Sequence, residues 1–374
     1  MDIISIGGIP IADSNIIHDS TREEYRCPVG AVTCGTETLL SLKINGLHYE
    51  HVTLCVLCGE TVDRIDMTAG GKILHARYTV PISEKGGGMI LWYWFEIMLQ
   101  GGAICYYGAE QPYSSGLGHV YQNPPPGFQI TAYDEAFETP DWAKSAIMYQ
   151  IFPDRFNMGD PDGVRAGIAW HQGMGRTDIE LCGDWNALPV YEAKDGQLYY
   201  MPTDIFGGDL EGIRQRLSYL KELGVSLIYL NPIFESASNH RYNTGDYLKI
   251  DPILGNEASF RKLSEEAKEA GIRIILDGVF SHTGDDSVYF NKYGRYEGPG
   301  AYQSKESPHF GWYKFESYPD RYKSWWGFET LPEVDESNHD WQDFVLAGKD
   351  SVVRHWLSEG ASGYRLDVAD ELPD

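Results

Sequence analysis

Near the end of the chain, residues 363–374 (GYRLDVADELPD) set Arg365 and Asp367 two apart, in a run where Tyr364, Leu366 and Val368 alternate with them. Strand geometry repeats every second residue, so guanidinium and carboxylate point to the same side. A positive charge at that range favours the ionised carboxylate. An aspartate held ionised suits a nucleophile or an electrostatic stabiliser better than a proton donor. An isolated pair of this kind is more often a structural ion pair, but this one has company. Glu371 follows in the loop leaving the run. Asp277 and His282 close another apolar run in DGVFSH, and His240, Tyr242 and Asp246 lie in SNHRYNTGDY (238–247). A carboxylate and an imidazole at one strand mouth mark a place that solvent or ligand must reach.

Placing these groups takes strands, and four apolar runs qualify: SAIMYQIF (145–152), VSLIYL (225–230), IRIIL (272–276) and GYRLDV (363–368). Helical patterns precede the last three. Asp209 caps a helix with Leu210, Ile213, Leu217 and Leu220 on one face, closed by Gly224. Asn256 starts another with Phe260, Leu263, Ala267 and Ala270, stopped by Gly271. Asp340 opens a third through Phe344, Val345, Val352, Val353 and Trp356, closed by Gly360. These are helix start and stop signals. Helix, glycine, apolar strand, three times over, reads as parallel βα units. Polar residues at the strands' C-terminal ends suit half of a (β/α)8 barrel. A doubly wound sheet is the competing architecture, but no glycine-rich phosphate loop follows the first strand. Residues 283–339 are too many for a plain loop and read as an inserted subdomain on the same face.

Residues 1–130 have a different texture. TLLSLKI, HVTLCVLC, HARYTVPI, MILWYWFEIML and AICYYG alternate with Gly, Asn and Pro clusters, as in an antiparallel β-sandwich. The aromatics of LWYWFEI fit a two-sided central strand or a sugar-stacking platform, and YQNPPPGFQIT (121–131) reads as a stiff linker. A net charge of −25 argues against nucleic acid or anionic membrane as partner. No apolar run spans a bilayer and no leader-like segment opens the chain, so six cysteines read as reduced thiols of a cytoplasmic protein. Cys55 and Cys58 form a C-x-x-C without a second pair at zinc spacing.

Together these motifs resemble the α-amylase family of glycoside hydrolases, family 13. G-x-R-x-D-x-x-x-E, ending at Glu371, is similar to that family's second signature stretch. DGVFSH is similar to its first, D-x-V-x-N-H, with Ser281 in place of the asparagine. LPEVDESN (331–338) resembles the stretch that ends the family's inserted subdomain. YQIFPDRF (149–156) resembles the first barrel strand of the cyclomaltodextrinase, neopullulanase and maltogenic amylase branch. The resemblance implies an α/β fold: a (β/α)8 TIM barrel over residues 131–374, of which only the first half lies in this sequence, preceded by an all-β sandwich over 1–130. It implies a retaining hydrolase of α-1,4-glucosidic bonds in cyclodextrins, maltooligosaccharides or pullulan. Asp367 would be the nucleophile with Arg365 beside it, and Tyr242, His240, Asp277, His282 and Glu371 would contact the α-glucan. No cofactor is required. The branch's calcium ion would fall to Asp160, Asp162, Gly208 and Asp209, with Met158 where asparagine is common. The branch also implies a homodimer through the N-terminal domain. In the family the proton donor is a glutamate after strand five, so a fragment lacking the general acid is expected. The alternatives are a non-catalytic glucan-binding or assembly protein, and an α-1,6 debranching enzyme of the same family.

Overall fold

Alternation along Met89–Leu99 organises the N-terminal part of the computed structural model, which describes residues 3–82, 87–193 and 202–372. Leu91, Tyr93, Phe95, Ile97 and Leu99 are fully buried, while Trp92, Trp94, Glu96 and Met98 between them are half-buried on the opposite face. The strand is therefore two-sided and central, pairing antiparallel with Tyr49–Cys58 along one edge and with Ile104–Ala109 and Phe128–Tyr133 along the other. A second sheet joins Glu37–Ile44 to Ile73–Thr79 and shorter strands. Leu40, Leu42, Leu74 and Ala76 of this sheet meet Leu54, Val56, Tyr93 and Phe95 of the first in one core. Two sheets sharing one apolar filling make a β-sandwich. Each large side chain buried there contributes about 1.5–3 kcal/mol. The cysteines are all free thiols.

The chain divides into two compact units, Met1–Pro140 and Asp141–Asp374. Residues 121–131 are not a linker: Gly118–Tyr121 and Phe128–Tyr133 are strands of the large sheet, and the prolines turn the chain between them. The three prolines remove backbone donors and stiffen the turn, which is why the stretch reads like a linker.

In the second unit four strands, Met148–Ile151, Leu227–Leu230, Arg273–Gly278 and Tyr364–Leu366, form one parallel sheet in chain order. A doubly wound sheet reverses its strand order at a switch point; this one does not, and among the described residues it does not close into a barrel. Leu210, Ile213, Leu217 and Leu220 are buried against it, as are Phe260, Leu263 and Ala267 of the Glu257–Glu269 helix. Asn256 caps that helix, its side chain accepting from Ser259 N at 3.1 Å while Ser259 Oγ accepts from Asn256 N at 2.8 Å. The expected helix from Asp340 forms in pieces: His339–Gln342, a wide turn at Asp343–Ala347, and Val352–Ser358. Its cap is Asn338, which accepts from Trp341 N, and not Asp340. The break falls at Gly348, whose backbone is extended. Trp356 of the last helix is fully buried against Phe234 and Phe260, and its indole N–H donates to Tyr247 O at 2.8 Å.

Candidate active site

Parallel pairing sets Asp277 opposite Arg365 at the C-terminal ends of the third and fourth strands. The carboxylate of Asp277 is buried, and it accepts from the Tyr229 hydroxyl, from the Tyr242 hydroxyl at 2.9 Å and from Arg365 Nη1 at 3.1 Å. The same Arg365 Nη1 donates to Asp367 Oδ1 at 2.5 Å, so one guanidinium nitrogen bridges two carboxylates. Asp367 lies just past the strand, its side chain 15% exposed, with its N–H on Gly278 O at 3.0 Å. Burial pushes the Asp277 carboxyl up from the usual carboxylate range, and the tyrosine hydroxyls and Arg365 pull against it. Burial also works against the Arg365 charge, but the hydrogen bond to Asp367 and the field of Asp277 prevail and hold it firmly protonated.

The loop after the second strand supplies the next layer. It is a hairpin of Phe234–Ser236 against Thr244–Ile250, with His240 and Tyr242 at its tip. Tyr242 receives Asn231 Nδ2 at 3.0 Å on its hydroxyl, and Asn231 in turn accepts from Gln150 Nε2 at 2.8 Å. Hydrogen bonds thus run from the first strand to the fourth through Gln150, Asn231, Tyr242, Asp277, Arg365 and Asp367. His282 is buried, with Nε2 on Tyr242 O at 3.2 Å and Nδ1 on Ser281 Oγ at 2.9 Å. A carbonyl only accepts, so Nε2 carries the proton and the ring is the neutral tautomer that accepts from serine. Burial lowers the His282 pKa and takes that of His240 down to about 4. Burial thus favours the neutral form of both imidazoles.

Glu371 accepts the indole N–H groups of Trp325 and Trp326, each at 2.9 Å. Trp325 packs over the His282 ring with centroids 5.5 Å apart, and Trp326 and Phe328 stack on Trp325. Trp326 is 76% exposed, which leaves an aromatic face open to solvent. Five non-glycine residues among those described have left-handed backbone, and three of them, Arg241, Trp326 and Val368, adjoin Tyr242, Trp325 and Asp367. Such conformations persist only where surrounding contacts over-determine them, so this clustering singles out the region.

The fold brings Asp367, Arg365, Asp277, Tyr242 and His282 together directly. His240 joins through its ring beside Tyr242 (centroids 5.9 Å) and Glu371 through Trp325. Gln150, Tyr229, Asn231, Trp325 and Trp326 escape the sequence reading. Tyr229 and Gln150 sit inside apolar strands and look like core. Only the adjacent tryptophans in SWWGF carry a signal, because two large indoles in an irregular segment need a purpose.

The four residues expected to bind calcium do not fit a hard cation, which needs about six to eight converging oxygens. The Asp209 carboxylate already accepts from Gly159 N, Asp160 N and Gly212 N at 2.5–3.1 Å, capping the helix that follows. Asp160 caps Pro161–Gly173 through Gly163 N, Asp162 points outward to Arg165, and Gly208 donates its N–H to Asp154 O. No three acidic, histidine or cysteine groups converge on a metal position among the described residues.

Residues 150–374 match the alpha-amylase catalytic domain. The chain belongs to the alpha-amylase family. Over 393 residues it is 38% identical to an amylopullulanase of Thermoanaerobacterium saccharolyticum, an alignment covering 96% of this chain and 30% of that one. Over 245 residues it is 36% identical to neopullulanase 2 of Thermoactinomyces vulgaris, covering 64% of this chain and 36% of the relative. The solved type III pullulan hydrolase of Thermococcus kodakarensis matches at a TM-score of 0.52 and 25% identity, over 96% of this chain and 57% of that one. The chain thus spans about a third of the length of these two curated relatives. Within the alpha-amylase family frame, the four parallel strands and the preceding sandwich are the catalytic domain and the N-terminal β domain. No described helix is long and apolar enough to cross a membrane.

Proposed function

We propose that these residues carry the nucleophile side of a retaining α-glucan hydrolase site, and that the four parallel strands are successive strands of a (β/α)8 barrel. The observation that carries the reading is the single Arg365 nitrogen shared by Asp277 and Asp367 at the strand ends. In this reading Asp367 attacks the anomeric carbon as the glycosidic oxygen departs. Arg365 donates to that carboxylate and fixes its orientation for the attack. Tyr242 presents its ring, Asp277 accepts from sugar hydroxyls, and His282 is the neutral partner beside them. The exposed indole of Trp326 offers an apolar face to a further sugar ring.

Retention needs a second carboxyl group about 5–5.5 Å from the nucleophile to protonate the leaving oxygen. Glu371 does not suit the role, because both its oxygens are turned to the Trp325 and Trp326 indoles and accept their N–H groups. The general acid is therefore assigned to chain outside this cluster. Two of the relatives described above are named for pullulan hydrolysis and one combines amylase and pullulanase in its name, so pullulan is the first substrate, with β-cyclodextrin and maltoheptaose beside it. The decisive experiment is hydrolysis of these glucans by the active polypeptide and its Asp367→Asn variant. The expected outcome is a loss of at least about a thousandfold in kcat; near-normal turnover by the variant overturns the assignment.

A further inference from the structure

Behind the site lies a buried ionic network that the reaction described above does not use. Three arginines, Arg176, Arg241 and Arg295, face three carboxylates, Glu235, Asp251 and Asp286, so the formal charges balance. Arg176 is its centre, donating to Asp286 at 2.8 Å, to Glu235 at 2.9 Å, to the Tyr296 hydroxyl at 2.7 Å and to His171 Nδ1 at 2.9 Å. His171 Nε2 reaches Asp251 at 3.3 Å, Asp251 pairs with Arg241 Nε at 3.0 Å, and Arg295 closes the far side on Asp286. These groups come from the helix after the first strand, the hairpin after the second and the insertion after the third. One network thus fastens three loops of the site-bearing face.

Arg241 occupies the position between His240 and Tyr242. It is 1% exposed and its backbone is left-handed, at φ 62°. A glycine takes that conformation without steric cost; an arginine does so only under constraint. The constraint is visible: Nη1 donates to Asn239 O at 2.7 Å, Nε faces Asp251, and the Arg241 N–H donates to Ser238 Oγ at 3.1 Å. The turn so held sends Tyr242 to Asp277 and lets Tyr242 N donate to His240 Nδ1 at 3.1 Å.

We propose that Arg241 is a positioning residue: anchored by Asp251 to the buried network, it holds the left-handed turn that delivers the Tyr242 hydroxyl to Asp277. The catalytic part of this inference rests on the function proposed above; the geometric part does not. The test uses the full chain with Arg241→Met, Arg241→Lys and, on the far rim of the same network, Arg295→Met. Crystal structures read the separation of the Tyr242 hydroxyl from Asp277, and pullulan hydrolysis reads kcat and KM separately. Arg241→Met is expected to open that separation beyond hydrogen-bond reach and to lower kcat at least tenfold, with KM moving less. Arg241→Lys recovers part of both, while Arg295→Met lowers the melting temperature but keeps the separation and kcat. Tyr242 remaining on Asp277 in Arg241→Met overturns the proposal, and so does an equal loss of kcat in Arg295→Met. Should Arg241→Met fail to fold, Arg241→Lys against Arg295→Met makes the same comparison. Where the wild-type chain has no turnover, the measured separation decides this proposal alone, and Asp367→Asn in the active polypeptide decides the functional reading separately.

Discussion

Asp277 is the most heavily supported carboxylate of the site, and its three donors make separable contributions. Removing the Tyr229 hydroxyl leaves a buried carboxylate short of one donor, and hydrogen bonds to charged groups are worth about 1.5–3 kcal/mol. Tyr229→Phe is therefore expected to lower kcat/KM for glucan hydrolysis by about tenfold or more, measured by initial rates. Trp326→Ala removes an exposed stacking face without touching these hydrogen bonds. Its loss should raise KM about three- to tenfold while kcat stays nearly constant, because aromatic contacts are worth about 0.5–1.5 kcal/mol. The difference between these residues also explains what was legible. Asp367, Arg365, Asp277 and His282 stand out because a charge at the end of an apolar strand has no reason to be there unless something meets it. Tyr229 does not, because a tyrosine in VSLIYL has the same pattern whether its hydroxyl faces a carboxylate or a helix.

At the scale of elements, caps decide where helices begin and which loops they hold. Asn256→Ala removes one reciprocal cap and is expected to cost about 1 kcal/mol in urea denaturation. Asp209→Ala strands three backbone donors at once, Gly159, Asp160 and Gly212, and should cost about 3 kcal/mol at about 1 kcal/mol each. Since those oxygens are already engaged, added calcium should leave the melting temperature of the wild-type chain unchanged. The Asn256 cap is readable from its own sequence, a polar cap with serine three residues on. The cap at Asn338 is not, because Asn338, His339 and Asp340 are consecutive polar residues and only packing of Trp341 chooses among them. The interruption at Gly348 is hidden for a related reason: apolar spacing runs through it undisturbed from Phe344 to Trp356.

Across the molecule, pH bears on stability through a histidine far along the chain from the candidate catalytic residues. His18 is fully buried in the N-terminal unit, with Nδ1 on Ser41 O and Nε2 on the Tyr93 hydroxyl, both at 2.9 Å. Burial lowers its pKa from 6.5 to about 4. The unfolded chain therefore takes up this proton near pH 6.5, and the folded chain only near pH 4. As pH falls through that window, proton binding favours unfolding; the contribution is intact above 6.5 and lost by about 4. At 1.36 kcal/mol per unit it amounts to about 3 kcal/mol. Denaturant titrations across this range should show that slope flattened in His18→Gln. The sandwich and the parallel βα texture were readable because alternation and helix–glycine–strand recurrence are properties of consecutive residues; which loops converge depends on the order of strands in space. That order has a further consequence for biosynthesis. Within the parallel sheet of the second unit each strand pairs with the sheet strand synthesised before it, from Met148–Ile151 through Leu227–Leu230 and Arg273–Gly278 to Tyr364–Leu366. No strand has to wait for a later one to be threaded between two already in place. The sheet can lengthen by addition at one edge while the ribosome is still translating, and the Asp277–Arg365 contact forms only once Tyr364–Leu366 docks.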